Sequence, residues 1–114
     1  MKHRILALLL AAALLCTVLP AAAAVEPASG SFGEALTWSL DADGVLTVSG
    51  SGAMPYEIFY PWYDVIDQIT AVVIEPGVTS VSNSAFLNCT ALRRVTLPEG
   101  LTRIDQYAFE GCAL

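Results

Sequence analysis

The sequence predicts a mainly β chain with short helical turns. Its C-terminal half should coil into a solenoid, and its N-terminal half should supply a β-hairpin that caps one end. Three observations predict this. Residues 69–91 (ITAVVIEPGVTSVSNSAFLNCTA) and 92–114 (LRRVTLPEGLTRIDQYAFEGCAL) align throughout as two 23-residue units. A fixed period in the twenties marks units that stack only on their neighbours. Leu36, Trp38 and Leu40 alternate with Thr37 and Ser39, the period of a half-buried strand. Asp41-Ala42-Asp43-Gly44 then has turn composition ahead of the apolar run Val45-Leu46-Thr47-Val48, which reads as a hairpin.

The elements follow in order. Residues 1–24 read as a signal peptide: a basic start (Lys2, His3, Arg4), an apolar run from Ile5 to Leu19, and an A-x-A cleavage site at Ala22-Ala23-Ala24. The run is shorter than the ~20 residues of a membrane span, so export without membrane insertion after cleavage is expected. Cys16 lies in the run, and Leu15 occupies the place where a lipid anchor would want a small residue. Residues 25–35 (VEPASGSFGEA) are expected to be a flexible leader. Residues 36–68 form the capping segment: the hairpin, an SGSG loop at 49–52, and the stretch AMPYEIFYPWY at 53–63. That stretch holds five of the chain's ten aromatics, with Pro55 and Pro61 excluding a regular helix. A short helical piece is expected over Asp64–Gln68. The aromatics either supply core for the open end of the stack or form a platform (Tyr60, Trp62, Tyr63) on which sugar rings would lie.

Residues 69–114 are the two units. Ile69-x-x-Val72-x-Ile74 and Leu92-x-x-Val95-x-Leu97 fit the L-x-x-L-x-L strand signature of leucine-rich repeats. Side chains alternate along such a strand. Val72, Ile74, Val95 and Leu97 should face the core, while Ala71, Val73, Glu75, Arg94 and Thr96 should face outward. Val73, Glu75, Arg94 and Thr96 are the candidate ligand face. Val78, Val81, Leu101 and Ile104 return the chain to the core, and the Ala-Phe pair and cysteine fill the far side. Cys89 and Cys112 fall one unit apart. Strand spacing would admit a bridge between them, whereas parallel inward side chains favour two free thiols; both readings stand.

The phrases AFLNCTALRRVTLPEGLTRIDQYAFEGC and ITAVVIEPGVTSV closely resemble BspA-like, or treponemal-type, leucine-rich repeats. The upstream stretch from LTWSLDADGVLTVSGSGAMPYE to PWYDVIDQITAVVIEPGV is similar to the N-terminal β segment that often precedes such repeats in exported bacterial proteins. The resemblance covers residues 33–114. It implies a secreted or cell-surface protein with a repeat-built binding face, some members being adhesins, and it carries no catalytic residues. Leu114 falls where a third strand would begin, so a longer parent, truncated here at the C-terminus, is expected.

Beyond residue 24 the chain has no lysine and no histidine, and three arginines stand against eleven acids, a net charge of −8. So few cations make a poor nucleic-acid or anionic-membrane binder, and the charge favours a soluble monomer. The missing residues remove Ser-His and Cys-His nucleophile pairs, imidazole zinc sites and Schiff-base chemistry. No enzyme activity and no cofactor are therefore expected. Asp41-x-Asp43-Gly44 fails as a calcium loop, because Leu46 and Gly52 stand where glycine and glutamate are required. Glu57, Asp64 and Asp67 read as solvated carboxylates. The expected role is protein–protein or cell-surface adhesion. The alternatives are a carbohydrate-binding module of an extracellular hydrolase and a purely structural fragment of a longer repeat protein.

Overall fold

A computed structural model describes residues 25–114; the signal-peptide reading of residues 1–24, with Cys16, lies outside them. The strands are β1 (Ala28–Phe32), β2 (Leu36–Leu40), β3 (Val45–Gly50), β4 (Gly52–Ala53), β5 (Ala71–Ile74), β6 (Val78–Val81), β7 (Arg94–Thr96) and β8 (Arg103–Ile104). A 3-10 helix covers Tyr63–Gln68. A five-stranded sheet runs β1-β2-β3-β5-β7, and a three-stranded sheet runs β4-β6-β8. The β1/β2 and β2/β3 pairs are antiparallel. Every pair after β3 is parallel.

The hairpin forms where its turn chemistry places it. The Asp41 carboxylate accepts from the backbone N–H of Asp43 (2.9 Å) and of Val45 (3.0 Å), and Gly44 takes the left-handed φ of 84° that closes the turn. Two expectations about its flanks are corrected. Residues 28–32 are an edge strand rather than a flexible leader. The sequence hides this strand because its small residues carry no alternation, yet smallness is what the site demands: a Cβ on Gly30 would meet Trp38 Nε1 at 3.1 Å. The SGSG stretch is not all loop either. β3 runs on to Gly50, and Gly52–Ala53 opens the second sheet.

From β3 onward the chain passes repeatedly from the first sheet to the second, as β3 to β4, β5 to β6, and β7 to β8. A third set of contacts joins the return segments. The N–H groups of Ser84, Phe86 and Asn88 donate to the carbonyls of Gln106, Ala108 and Glu110 at 3.1, 2.8 and 2.7 Å. The backbone conformation repeats with the sequence. Ser84 and Tyr107 share a φ of 62°, and Asn88 (60°) matches Gly111 (81°), so both units turn at the same left-handed corners.

The core is a column of rings. Tyr60 stacks on Trp62 at 5.4 Å and 16°, Trp62 on Phe86 at 5.2 Å and 10°, and Phe86 on Phe109 at 5.4 Å and 11°. Phe32 and Trp38 meet Trp62 edge-on, the second favoured geometry for aromatic pairs. Leu40, Leu46, Val48, Val72, Ile74, Val78 and Val81 fill the space between the sheets at 1% exposure or less. Leu97 and Ile104, expected in the core, are instead 41% and 47% exposed. They lie on or beside the outermost strands of the two parallel ladders, where no described residue covers one flank. Ala71, expected outward, is buried, because its small side chain is flanked by Val45 on β3 and Arg94 on β7.

Equivalent glycines test this packing. Gly77 has a φ of 111°, and a Cβ there would run into the Gly50 carbonyl oxygen, whereas Gly100, one unit later, has open space around it. Gly77→Ala should therefore cost about 1–3 kcal/mol and Gly100→Ala less than about 1 kcal/mol. Urea denaturation of both variants checks the difference.

Candidate recognition face

The register of the first sheet sorts its side chains into rows. Inward rows join Leu40, Leu46, Val72 and Val95, and Trp38, Val48 and Ile74. One outward row joins Ser29, Ser39, Thr47, Val73 and Thr96 across all five strands. A second joins Ser31, Thr37 and Ser49. The face is thus rich in hydroxyls and rests on a closely packed interior.

The four expected ligand-face residues gather at one end of it. Val73 and Thr96 are direct cross-strand partners, roughly 4.8 Å apart by strand spacing. Val73 is half-buried, and Glu75, Arg94 and Thr96 are exposed. Arg94 stands two residues before Thr96 on β7. Glu75 follows β5 and is tied down by its N–H, which donates to the Val48 carbonyl at 2.9 Å. The one ion pair among the described residues is elsewhere, Arg103 Nε to Asp105 Oδ1 at 2.7 Å. Arg94 is therefore free to meet an acidic group from outside.

Two of the three residues of the expected sugar platform are not on the surface. Trp62 is 0% and Tyr60 2% exposed. Trp62 Nε1 donates to the Ala85 carbonyl at 2.8 Å. The Tyr60 hydroxyl donates to the Asn83 carbonyl at 2.8 Å and shares a 2.6 Å contact with the Ser82 hydroxyl. Tyr63, half-buried, donates to the Ser84 carbonyl at 2.7 Å. The faces of Trp62 are occupied by Tyr60 and Phe86, and Tyr60 is buried against Trp62, so neither can receive a pyranose. Sequence reasoning missed the residues that do project: Tyr56, Ile58 and Phe59, at 61%, 70% and 79% exposure. The signal for them is a length difference. Eight residues lie between Ala53 and Trp62, but five between their partners Ser80 and Phe86, and the extra residues bulge outward.

Burial shapes the titrating groups. The hydroxyls of Tyr60 and Tyr63 are held above their ordinary range, chiefly by loss of solvent. The Cys89 thiol is pushed up to about 12 by burial and then by the neighbouring Cys112, whose own thiol is also raised by burial. No group of three His, Cys, Asp or Glu side chains among the described residues is arranged to hold a metal ion. No helix among them is long and apolar enough to cross a membrane.

Residues 58–114 match the family model described as BspA type leucine rich repeat region (6 copies). A leucine-rich repeat protein from Eubacterium ventriosum ATCC 27560, known from its crystal structure, superposes with a TM-score of 0.74 at 32% identity, over 79% of this chain and 25% of that one. A leucine rich cell surface protein from Faecalibacterium prausnitzii A2-165 gives a TM-score of 0.40 at 24% identity, over 76% of this chain and 29% of that one. The chain thus spans between a quarter and a third of the length of these solved structures. No curated protein matches it.

Two outcomes follow from the ring column. Trp62→Ala should cost about 3–5 kcal/mol, the range for truncating a buried aromatic, and Trp62→Phe distinctly less, as read from denaturant midpoints. The raised tyrosines and thiols favour their neutral forms in the folded state. Their stabilisation is intact below the unfolded values, 9.0 for cysteine and 10.0 for tyrosine, and is lost as pH rises through the folded values. The urea midpoint should therefore fall between about pH 9 and about pH 12, and Tyr60→Phe should make that fall shallower.

Proposed function

The chain belongs to the BspA-type leucine-rich repeat family, and from that premise we propose that it is an exported recognition module that binds a protein or cell-surface ligand through the outer face of its five-stranded sheet. The observation that carries this reading is the parallel ladder β3-β5-β7. It sets Thr47, Val73 and Thr96 in one outward row beside exposed Arg94 and Glu75. Rigid strands backed by a packed core hold such a face in one shape, which lowers the ordering cost of binding.

The two repeats and the preceding residues 45–68 act as successive coils of a solenoid, with β1 and β2 covering its first edge. Three features support this: β3 and β4 pair in parallel with β5 and β6, and Trp62 stands in the ring column where the repeats place Phe86 and Phe109. The role is binding rather than catalysis, and the acidic charge directs the face toward proteins rather than nucleic acid. The basic start and apolar run of residues 1–24 support secretion or display outside the cytoplasm. Monomeric behaviour follows from the same acidic charge.

The test is binding of the chain to a panel of immobilised extracellular-matrix proteins, with a neutral polysaccharide as comparison. Arg94→Glu combined with Thr96→Arg should weaken binding to the protein that is captured by about tenfold or more, with an unchanged thermal midpoint. Loss of binding on Phe59→Ser, with the Arg94/Thr96 variant unaffected, would move the site to the 56–59 bulge and overturn the reading.

A further inference from the structure

Cys89 and Cys112 occupy the same point of successive units, and the Cys112 thiol reaches the backbone of the unit that carries Cys89. The N–H of each donates to the carbonyl three residues before it, Phe86 and Phe109, at 3.3 Å in both cases. The backbone is bonded between units on either side: Asn88 N–H to the Glu110 carbonyl at 2.7 Å, and Ala113 N–H to the Leu92 carbonyl at 3.0 Å. Bonds of this kind hold adjacent strands about 4.8 Å apart, inside the usual Cα window for a disulfide.

Spacing alone would leave the side chains parallel. The Cys112 thiol, however, crosses to the preceding unit. It donates to the Phe86 carbonyl at 3.2 Å, the same carbonyl that accepts from the Cys89 N–H. Both thiols are free; Cys89 is fully buried and Cys112 half-buried. Phe86 and Phe109, stacked at 5.4 Å, hold the two units in register beside them.

We propose that Cys89 and Cys112 are a cross-unit thiol pair which a small-molecule disulfide converts to an intramolecular bridge, fastening one unit to the next. Cys112, the more accessible, reacts first: its thiolate attacks one sulfur of the reagent disulfide and the other sulfur leaves as a thiolate. That thiolate accepts a proton. Cys89 then loses its proton, and its sulfur attacks Cys112 Sγ in the mixed disulfide, expelling the second reagent thiolate, which is protonated in turn. Two S–H bonds of the protein become one S–S bond, and the reagent disulfide takes up two electrons and two protons to become two thiols. Burial raises the Cys89 thiol and keeps it from reacting directly with solvent species. The order of attack follows from this.

The test is incubation of the full folded chain with oxidised glutathione, then alkylation and cleavage at glutamates, which puts Cys16, Cys89 and Cys112 on separate peptides. The expected product is a Cys89–Cys112 linked peptide, reversed by dithiothreitol, with a thermal midpoint raised by several degrees over the reduced chain. Cys112→Ser should abolish the link and the shift and leave Cys89 unalkylated until denaturant is added. A Cys112–glutathione adduct that never resolves to the link, or a link formed only in denaturant, would overturn the proposal.

Discussion

The column Tyr60–Trp62–Phe86–Phe109 is the contact on which the rest of the structure depends. Its near-parallel rings, 5.2–5.4 Å apart, run along the direction in which the units stack. The sheets on either side carry mostly aliphatic side chains, which set no direction of their own. The rings fix how far each unit is advanced and rotated on the last. Trp62 matters most because it belongs to the segment that lacks the repeat motif. It stacks on Phe86, meets Phe32 and Trp38 edge-on, and donates to Ala85. One side chain thus joins the antiparallel strands, the aromatic stretch and the first repeat into one core.

Because the column sets the spacing, the backbone must turn at the same places in each unit. At three of the four corners it does so at residues that are not glycine. Ser84, Asn88 and Tyr107 hold left-handed conformations, each of which costs free energy for an ordinary side chain. The compensation is local. The N–H groups of Ser84 and Asn88 donate to Gln106 and Glu110 of the next unit, so the strained corners are also the points where units are bonded together. A unit stacked on its neighbour satisfies these donors, and an isolated unit would leave them unpaired. This links the strain to the stacking and explains why the corners recur at the sequence period.

Much of this was legible in the sequence. Repeat alignment found the first strand of each unit, β5 and β7, and placed Val72 and Ile74 in the core, since a period of two within a period of 23 leaves little freedom. Asp41 and Gly44 marked the hairpin through turn chemistry. What escaped has a common cause: the deciding contact is distant in sequence. β1 is made of small residues whose reason for being small is Trp38 beneath Gly30. In the aromatic stretch, prolines remove any periodicity, so nothing local separates Tyr60 and Trp62, which enter the column, from Tyr56 and Phe59, which project. The end positions Leu97 and Ile104 were misread because their pattern describes a unit with neighbours on both sides.

The candidate face is the part of the molecule least constrained by this framework. An inward residue must match the volume left by strands on either side, and the corners must satisfy specific donors. Outward positions on β5 and β7 answer only to β-propensity and to their cross-strand partner. Val73 against Thr96 is a favourable β-branched pair, and Arg94 opposite buried Ala71 has room to move. Side chains there can be exchanged without disturbing the column, so the same core can carry different recognition surfaces. The 56–59 bulge has a similar freedom for a different reason: it is surplus length that the stacking geometry does not use. Of these two surfaces, the strand face is the one continuous from unit to unit. Each added unit would lengthen that face by one strand spacing, whereas the bulge occurs where one segment exceeds its counterpart. A surface that grows with the number of units is therefore offered by the sheet and not by the bulge.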